Sequence, residues 1–195
     1  MKRSALDHLK PVEAAAVLRR LLDEKRDLVP EAEALAMAML CETSMDDVAD
    51  DIEGALDLLE MDDLASRAGE HAGGYTHPSE AAGELLEETI APFFEHLDRL
   101  LALGLEEDAL ECCRGIVVGL YRARALEDGE VLGWAPDCIA ESACNALVAW
   151  HAGGTEHMFG PGSHRRREER AFPAELIARF APDWKELIER TEGAP

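Results

Sequence analysis

The densest concentration of reactive groups in the sequence is a run of carboxylates. Ten acidic residues and no basic one lie between Glu42 and Asp63. At about 100° per residue, Asp46, Asp47, Asp50, Glu53 and Asp57 fall on one side of a helix, and Met45, Val48, Ile52, Leu56 and Leu59 fall on the other. Three uses suit such a face: a solvated surface, a docking surface for a basic partner, or a Mg²⁺ or Ca²⁺ site. A Mg²⁺-dependent hydrolase would need carboxylates from a second helix to converge on these, and Glu84, Glu87 and Glu88 are the candidates. The pairs Asp46–Asp50, Asp47–Asp51 and Glu53–Asp57 are like charges four apart, each mildly destabilising to a helix.

Histidines supply a second motif. His71-Ala-Gly-Gly-Tyr-Thr-His77 and His151-Ala-Gly-Gly-Thr-Glu-His157 agree at five of seven positions. One reading is helix capping, because imidazole suits the negative C-terminal end of a helix and glycine supplies the left-handed turn after it. The other is a transition-metal site in which His71, His77, His151 and His157 converge on Zn²⁺ or Ni²⁺. The spacing matches no standard zinc motif. A third cluster, His164 to Arg170, is basic and is expected to lie on the acidic surface of the protein itself. Nucleophilic catalysis finds no support. There is no G-x-S-x-G and no phosphate-binding glycine loop, and Cys112 and Cys113 sit in an apolar helical stretch as small core residues.

The elements that must position these groups are helices. Ala, Leu and Glu dominate, and all three favour helix over strand. Prolines at 11, 30, 78, 136 and 182 stand at helix starts, where a missing N–H costs nothing. The longest stripe runs through Leu85, Leu86, Ile90, Phe93, Phe94, Leu97, Leu100 and Leu101, with Pro92 inside it as an expected kink. Gly104 ends that helix, and Glu106, Glu107 and Asp108 open the next, so residues 103–106 form a tight turn between antiparallel helices. Leu86, Ile90, Phe94 and Leu97 are expected to face Leu110, Cys113, Val117 and Leu120 across it. Gly115 and Gly119, four apart, would let another helix approach closely. No alternating pattern long enough for a strand occurs. The fold class is therefore all-α, with antiparallel helical hairpins forming a short superhelix or an irregular bundle. A single helical domain over 1–195 is expected. Its sub-parts are N-terminal helices over 1–70, a central hairpin and following helix over 78–152, and a basic connection with C-terminal helices over 158–195.

Two family resemblances follow from particular residues. The segment Leu101-Ala-Leu-Gly-Leu-Glu-Glu-Asp-Ala-Leu110 resembles the hairpin turns of tetratricopeptide-type proteins, although the Trp, Tyr and Pro positions of that repeat are missing. Residues 63–121 resemble helical regions that accompany bacterial SWIM-type zinc fingers. The finger's own Cys-x-Cys and Cys-x-His are absent, so this resemblance implies an accessory helical module and no metal chemistry.

Charge and cysteine usage narrow the partners. The formal net charge of the 195 residues is −22, which repels nucleic-acid phosphates and favours basic partners or cations. Five cysteines, an odd number without a CxxC, and an N-terminus without an apolar signal core point to a reducing cytoplasm. No apolar run is long enough to span a bilayer. The functional expectation is a helical scaffold that binds another protein without catalysis. The alternative is a metal-binding protein or Mg²⁺-dependent hydrolase using the His or carboxylate clusters. Oligomeric state stays open.

Overall fold

The computed structural model describes residues 5–42, 44–71, 73–127, 131–155 and 181–193. The chain divides into two compact units, Met1–Glu42 and Thr43–Pro195.

In the first unit, α1 spans Pro11–Glu24 and α2 spans Val29–Leu40, joined through a single 3-10 turn at Arg26–Leu28. Pro11 opens α1 with its fixed φ, and the Glu13 carboxylate accepts the Lys10 backbone N–H at 2.9 Å. Neither helix contains a buried residue.

The second unit contains the core. Its helices among the described residues are α3 (Met45–Asp57), α4 (Met61–Arg67), α5 (Pro78–Ala102), α6 (Glu106–Ala123), α7 (Pro136–Ala152) and α8 (Lys185–Gly193). The protein is all-α, and among the described residues one small ribbon is the exception. Strands β1 (Gly69–His71) and β2 (Gly74–Thr76) pair antiparallel, with Glu70 opposite Tyr75 and His71 opposite Gly74. This ribbon corrects the expectation that residues 71–77 end a helix. Three-residue strands are too short to display an alternating pattern, and Gly69 and Gly74 adopt φ of 105° and 133°, which suit only glycine.

The turn between α5 and α6 forms as the sequence predicts. Gly104 takes the left-handed conformation, with φ 72°. Leu105 N–H bonds the Leu100 carbonyl at 3.0 Å, and Gly104 N–H bonds that of Leu101 at 3.1 Å. These two bonds satisfy carbonyls that the helix end would otherwise leave open. Helix α5 continues unbroken through Pro92.

Helix α6 lies at the centre of the unit. It packs on α3, α5 and α7, and its most extensive contact is with α3. Two of the residues expected to face across the α5–α6 turn, Phe94 and Cys113, are placed differently. Cys113 turns toward α7, where its thiol lies 3.6 Å from the Ala146 carbonyl, while Cys112 lies 3.9 Å from the Phe93 carbonyl of α5. Phe94 is only half-buried and faces α7. The cause is the small side chains around α6, which let helices approach it from three directions. Burial pushes the Cys112 thiol up to about 12 and that of Cys113 well above its ordinary range. Both thiols are buried in the core, which favours their protonated form.

Leu86, Ile90, Leu97 and Leu100 of α5 are buried, as are Ile116, Val117 and Leu120 of α6. Leu97 is fully enclosed. Leu97→Ala should lower stability by roughly 2–5 kcal/mol in urea unfolding, from lost transfer energy and the cavity left behind.

Candidate functional site

The acidic face is built from the contact between α3 and α6. Ser44 caps α3, its hydroxyl oxygen accepting the Asp47 N–H at 3.1 Å. Val48, Ala49, Ile52 and Leu56 turn inward. Opposite them stand Gly115 and Gly119. A Cβ at Gly115 would lie 2.5 Å from the Val48 Cβ, and one at Gly119 would lie 2.8 Å from the Ala49 carbonyl oxygen. Only glycine fits at either place, so the two backbones come close along this line.

That closeness brings one cation to the carboxylates. Arg122 follows Gly115 and Gly119 on the same side of α6, and Asp46, Asp50 and Glu53 repeat at the same helical spacing on α3. The Arg122 guanidinium donates to Asp50 Oδ1 at 2.6 Å, and lies 3.7 Å from Asp46 and 3.9 Å from Glu53. It offsets the like-charge pair Asp46–Asp50. Asp50 and Glu53, together with Gly54 and Asp57, line an open concavity of about 370 Å³. Asp47 is engaged at the start of the helix, accepting from the Ser44 hydroxyl at 2.6 Å.

The second carboxylate set is placed elsewhere. Glu88 is bound to Arg67 of α4 at 2.7 Å, and this hydrogen bond holds its carboxyl below the usual range. Glu87 lines a groove of about 470 Å³ between α5 and α7, with Ile90, Phe94, Ser142 and Asn145. Among the described residues no three His, Cys, Asp or Glu side chains gather as a metal ion would require.

The histidine motifs adopt two different structures. His71 lies in β1, its Nε2 donating to the Arg67 carbonyl at 2.5 Å, and His77 caps α5, its Nδ1 accepting the Ser79 N–H at 3.2 Å. His151, by contrast, is buried in the last turn of α7, which Gly153 ends in the left-handed conformation with φ 82°. The capping reading thus describes residues 151–154 and not 71–74. His157 and the basic cluster 164–170 lie outside the described residues.

Two polar clasps hold the ends of this unit. The Thr155 backbone N–H donates to Asp98 Oδ1 at 2.7 Å, and its hydroxyl donates to the other carboxylate oxygen. Near α8, Asp183 accepts from Arg124 and from the Tyr121 hydroxyl, each at 2.9 Å. Arg124 lies over the Tyr121 ring at 4.6 Å, and Trp184 meets that ring edge-on at 5.2 Å. Sequence reasoning missed Arg122, Arg124 and Asp183, because each acts only through a partner distant in the chain.

No described helix is long and apolar enough to cross a membrane. No known protein family, curated protein or solved structure matches the chain.

The Asp183 clasp carries a pH prediction. The hydrogen bonds from Arg124 and then from Tyr121 hold the Asp183 carboxyl below its ordinary value. Its stabilisation is thus complete above the unfolded Asp value, about 3.9, and is lost as pH falls through the lower folded value. The fluorescence of Trp184 should change in that acid window and hold steady between pH 5 and 8. Asp183→Ala should show the acid signal already at neutral pH.

Proposed function

We propose that the chain is a non-catalytic helical scaffold that docks a basic segment of a protein partner on the carboxylate face of α3. The supporting observation is Arg122. A guanidinium from the protein's own α6 already lies against Asp46, Asp50 and Glu53, so the face is shaped to accept one. Arginine suits this role because its flat fork meets two carboxylates at once and stays charged at any physiological pH. The concavity that continues past Arg122 toward Asp57 leaves room for further side chains of the same kind.

The surrounding field works in the same direction. Long-range attraction from a chain of charge −22 raises the encounter rate with a basic partner. It also rejects acidic and nucleic-acid competitors by repulsion. The energy per contact is small, since exposed ion pairs contribute about 0–1 kcal/mol each and are screened by salt. Affinity therefore depends on several carboxylates acting together.

The test uses an oligo-arginine peptide, titrated into the intact protein by calorimetry at low and at high salt. Changing Asp46, Asp50 and Asp57 together to Asn should weaken binding roughly tenfold or more while helix content holds. Arg122→Gln should strengthen it, because an internal competitor is removed. Binding indifferent to salt and to all four substitutions would exclude the face.

A further inference from the structure

Helices α5 and α7 pack together within the second unit and leave between them a groove of about 470 Å³, a volume in the range of small-ligand sites. Its floor is apolar. Ile90 is buried there, and Ala91 and Phe94 are half-buried. Three polar side chains converge on that floor: Glu87 from α5, and Ser142 and Asn145 from α7. Ser142 is only 6 % exposed, yet its hydroxyl meets no hydrogen-bond partner among the described residues. A serine inside a helix ordinarily bonds a carbonyl one turn back. A buried hydroxyl left without a bond costs free energy that alanine would avoid, and α7 has alanine at its buried positions 143, 146 and 149. The Ser142 side chain opens instead into the groove.

The groove also carries negative charge with nothing to balance it. Glu88 is held by Arg67, but Glu87 forms no ion pair among the described residues. Burial raises the Cys138 thiol, and Glu141, Glu87 and Asp137 raise it further, so carboxylates of both helices act on the same place. No basic side chain lines the groove among the described residues.

We propose that this groove binds an organic cation, a small amine with an aromatic or alkyl body, its ammonium on the Glu87 carboxylate and its body on Ile90, Ala91 and Phe94. An anion would be repelled. A bare metal ion would find one carboxylate over an apolar floor, and no three ligating side chains gather among the described residues. A neutral apolar ligand would cover the Glu87 charge without compensating it. An ammonium has three protons to donate, and the Ser142 hydroxyl and the Asn145 amide oxygen can accept two that Glu87 leaves over. The ring face of Phe94 attracts positive charge as well. This site is separate from the carboxylate face of α3, and neither reading depends on the other.

Dansylcadaverine, a fluorescent primary amine, tests this by titration into the intact protein. Its emission should rise and shift to the blue as the ring system leaves water. Its N-acetylated form, which lacks the charge, should bind about tenfold more weakly. Glu87→Gln should cost about tenfold in affinity for the amine, and Ser142→Ala about threefold. Ala91→Phe should abolish binding by filling the floor. Glu87 is exposed and Ala91 half-buried, so both changes leave the core in place. Should either variant unfold, the amine and its acetylated form compared on the unaltered protein decide. An oligo-arginine peptide, directed at α3, should not displace the probe. Equal affinity for the acetylated form would overturn the proposal. So would binding that survives Ala91→Phe, displacement by oligo-arginine, or unchanged emission up to millimolar probe.

Discussion

The second unit depends on how closely two backbones approach. Helices α3 and α6 come together where Gly115 and Gly119 leave nothing to separate them, and Val48, Ala49 and Ile52 fill the space that side chains on α6 would take. Ordinary helix pairs sit 8–10 Å apart, and small residues at the contact allow the lower end of that range. Glycine inside a helix costs about 1 kcal/mol against alanine. The contact must therefore return more than that at each position, through dispersion and burial along the line of approach.

The acidic face follows from the same constraint. Because Gly115, Gly119 and Arg122 lie along one side of α6, the spacing that lets the backbones meet also carries the guanidinium to the rim of the contact. There it meets the outward carboxylates of α3. Packing on one side of α3 and electrostatics on the other are thus set by one interface. With α6 held by α3, α5 and α7 pack on its remaining sides, and polar clasps at Asp98 and Asp183 tie down the segments around them.

What the sequence revealed was local. The left-handed Gly104, the acidic first turn of α6 and most of the stripe on α5 are decided within a few residues and form as expected, Phe94 being the exception that turns toward α7. The carboxylate face was legible for the same reason, since one helix carries it. Its cation was not, because Arg122 lies 72 residues from Asp50 and nothing in either segment names the other. Gly115 and Gly119 announced a close approach without identifying α3 as the neighbour. The two His-Ala-Gly-Gly segments show the limit from another side. In α7 the helix reaches Ala152 and the glycines end it, whereas α4 has already stopped at Arg67, so His71 and Gly74 enter a ribbon.

The claim that close packing of α3 on α6 governs this unit is tested most directly by Gly119→Ala, with stability read from urea unfolding. Two effects compete with opposite sign. Helix propensity alone would raise stability by about 1 kcal/mol. The new methyl, however, would sit 2.8 Å from the Ala49 carbonyl oxygen and 2.9 Å from the Ile52 Cβ, and a backbone atom cannot give way as a flexible side chain does. Overpacking against backbone costs roughly 1–3 kcal/mol, against a propensity gain of about 1 kcal/mol, so the account predicts a net loss of up to about 2 kcal/mol. A variant as stable as the parent or more stable would contradict it.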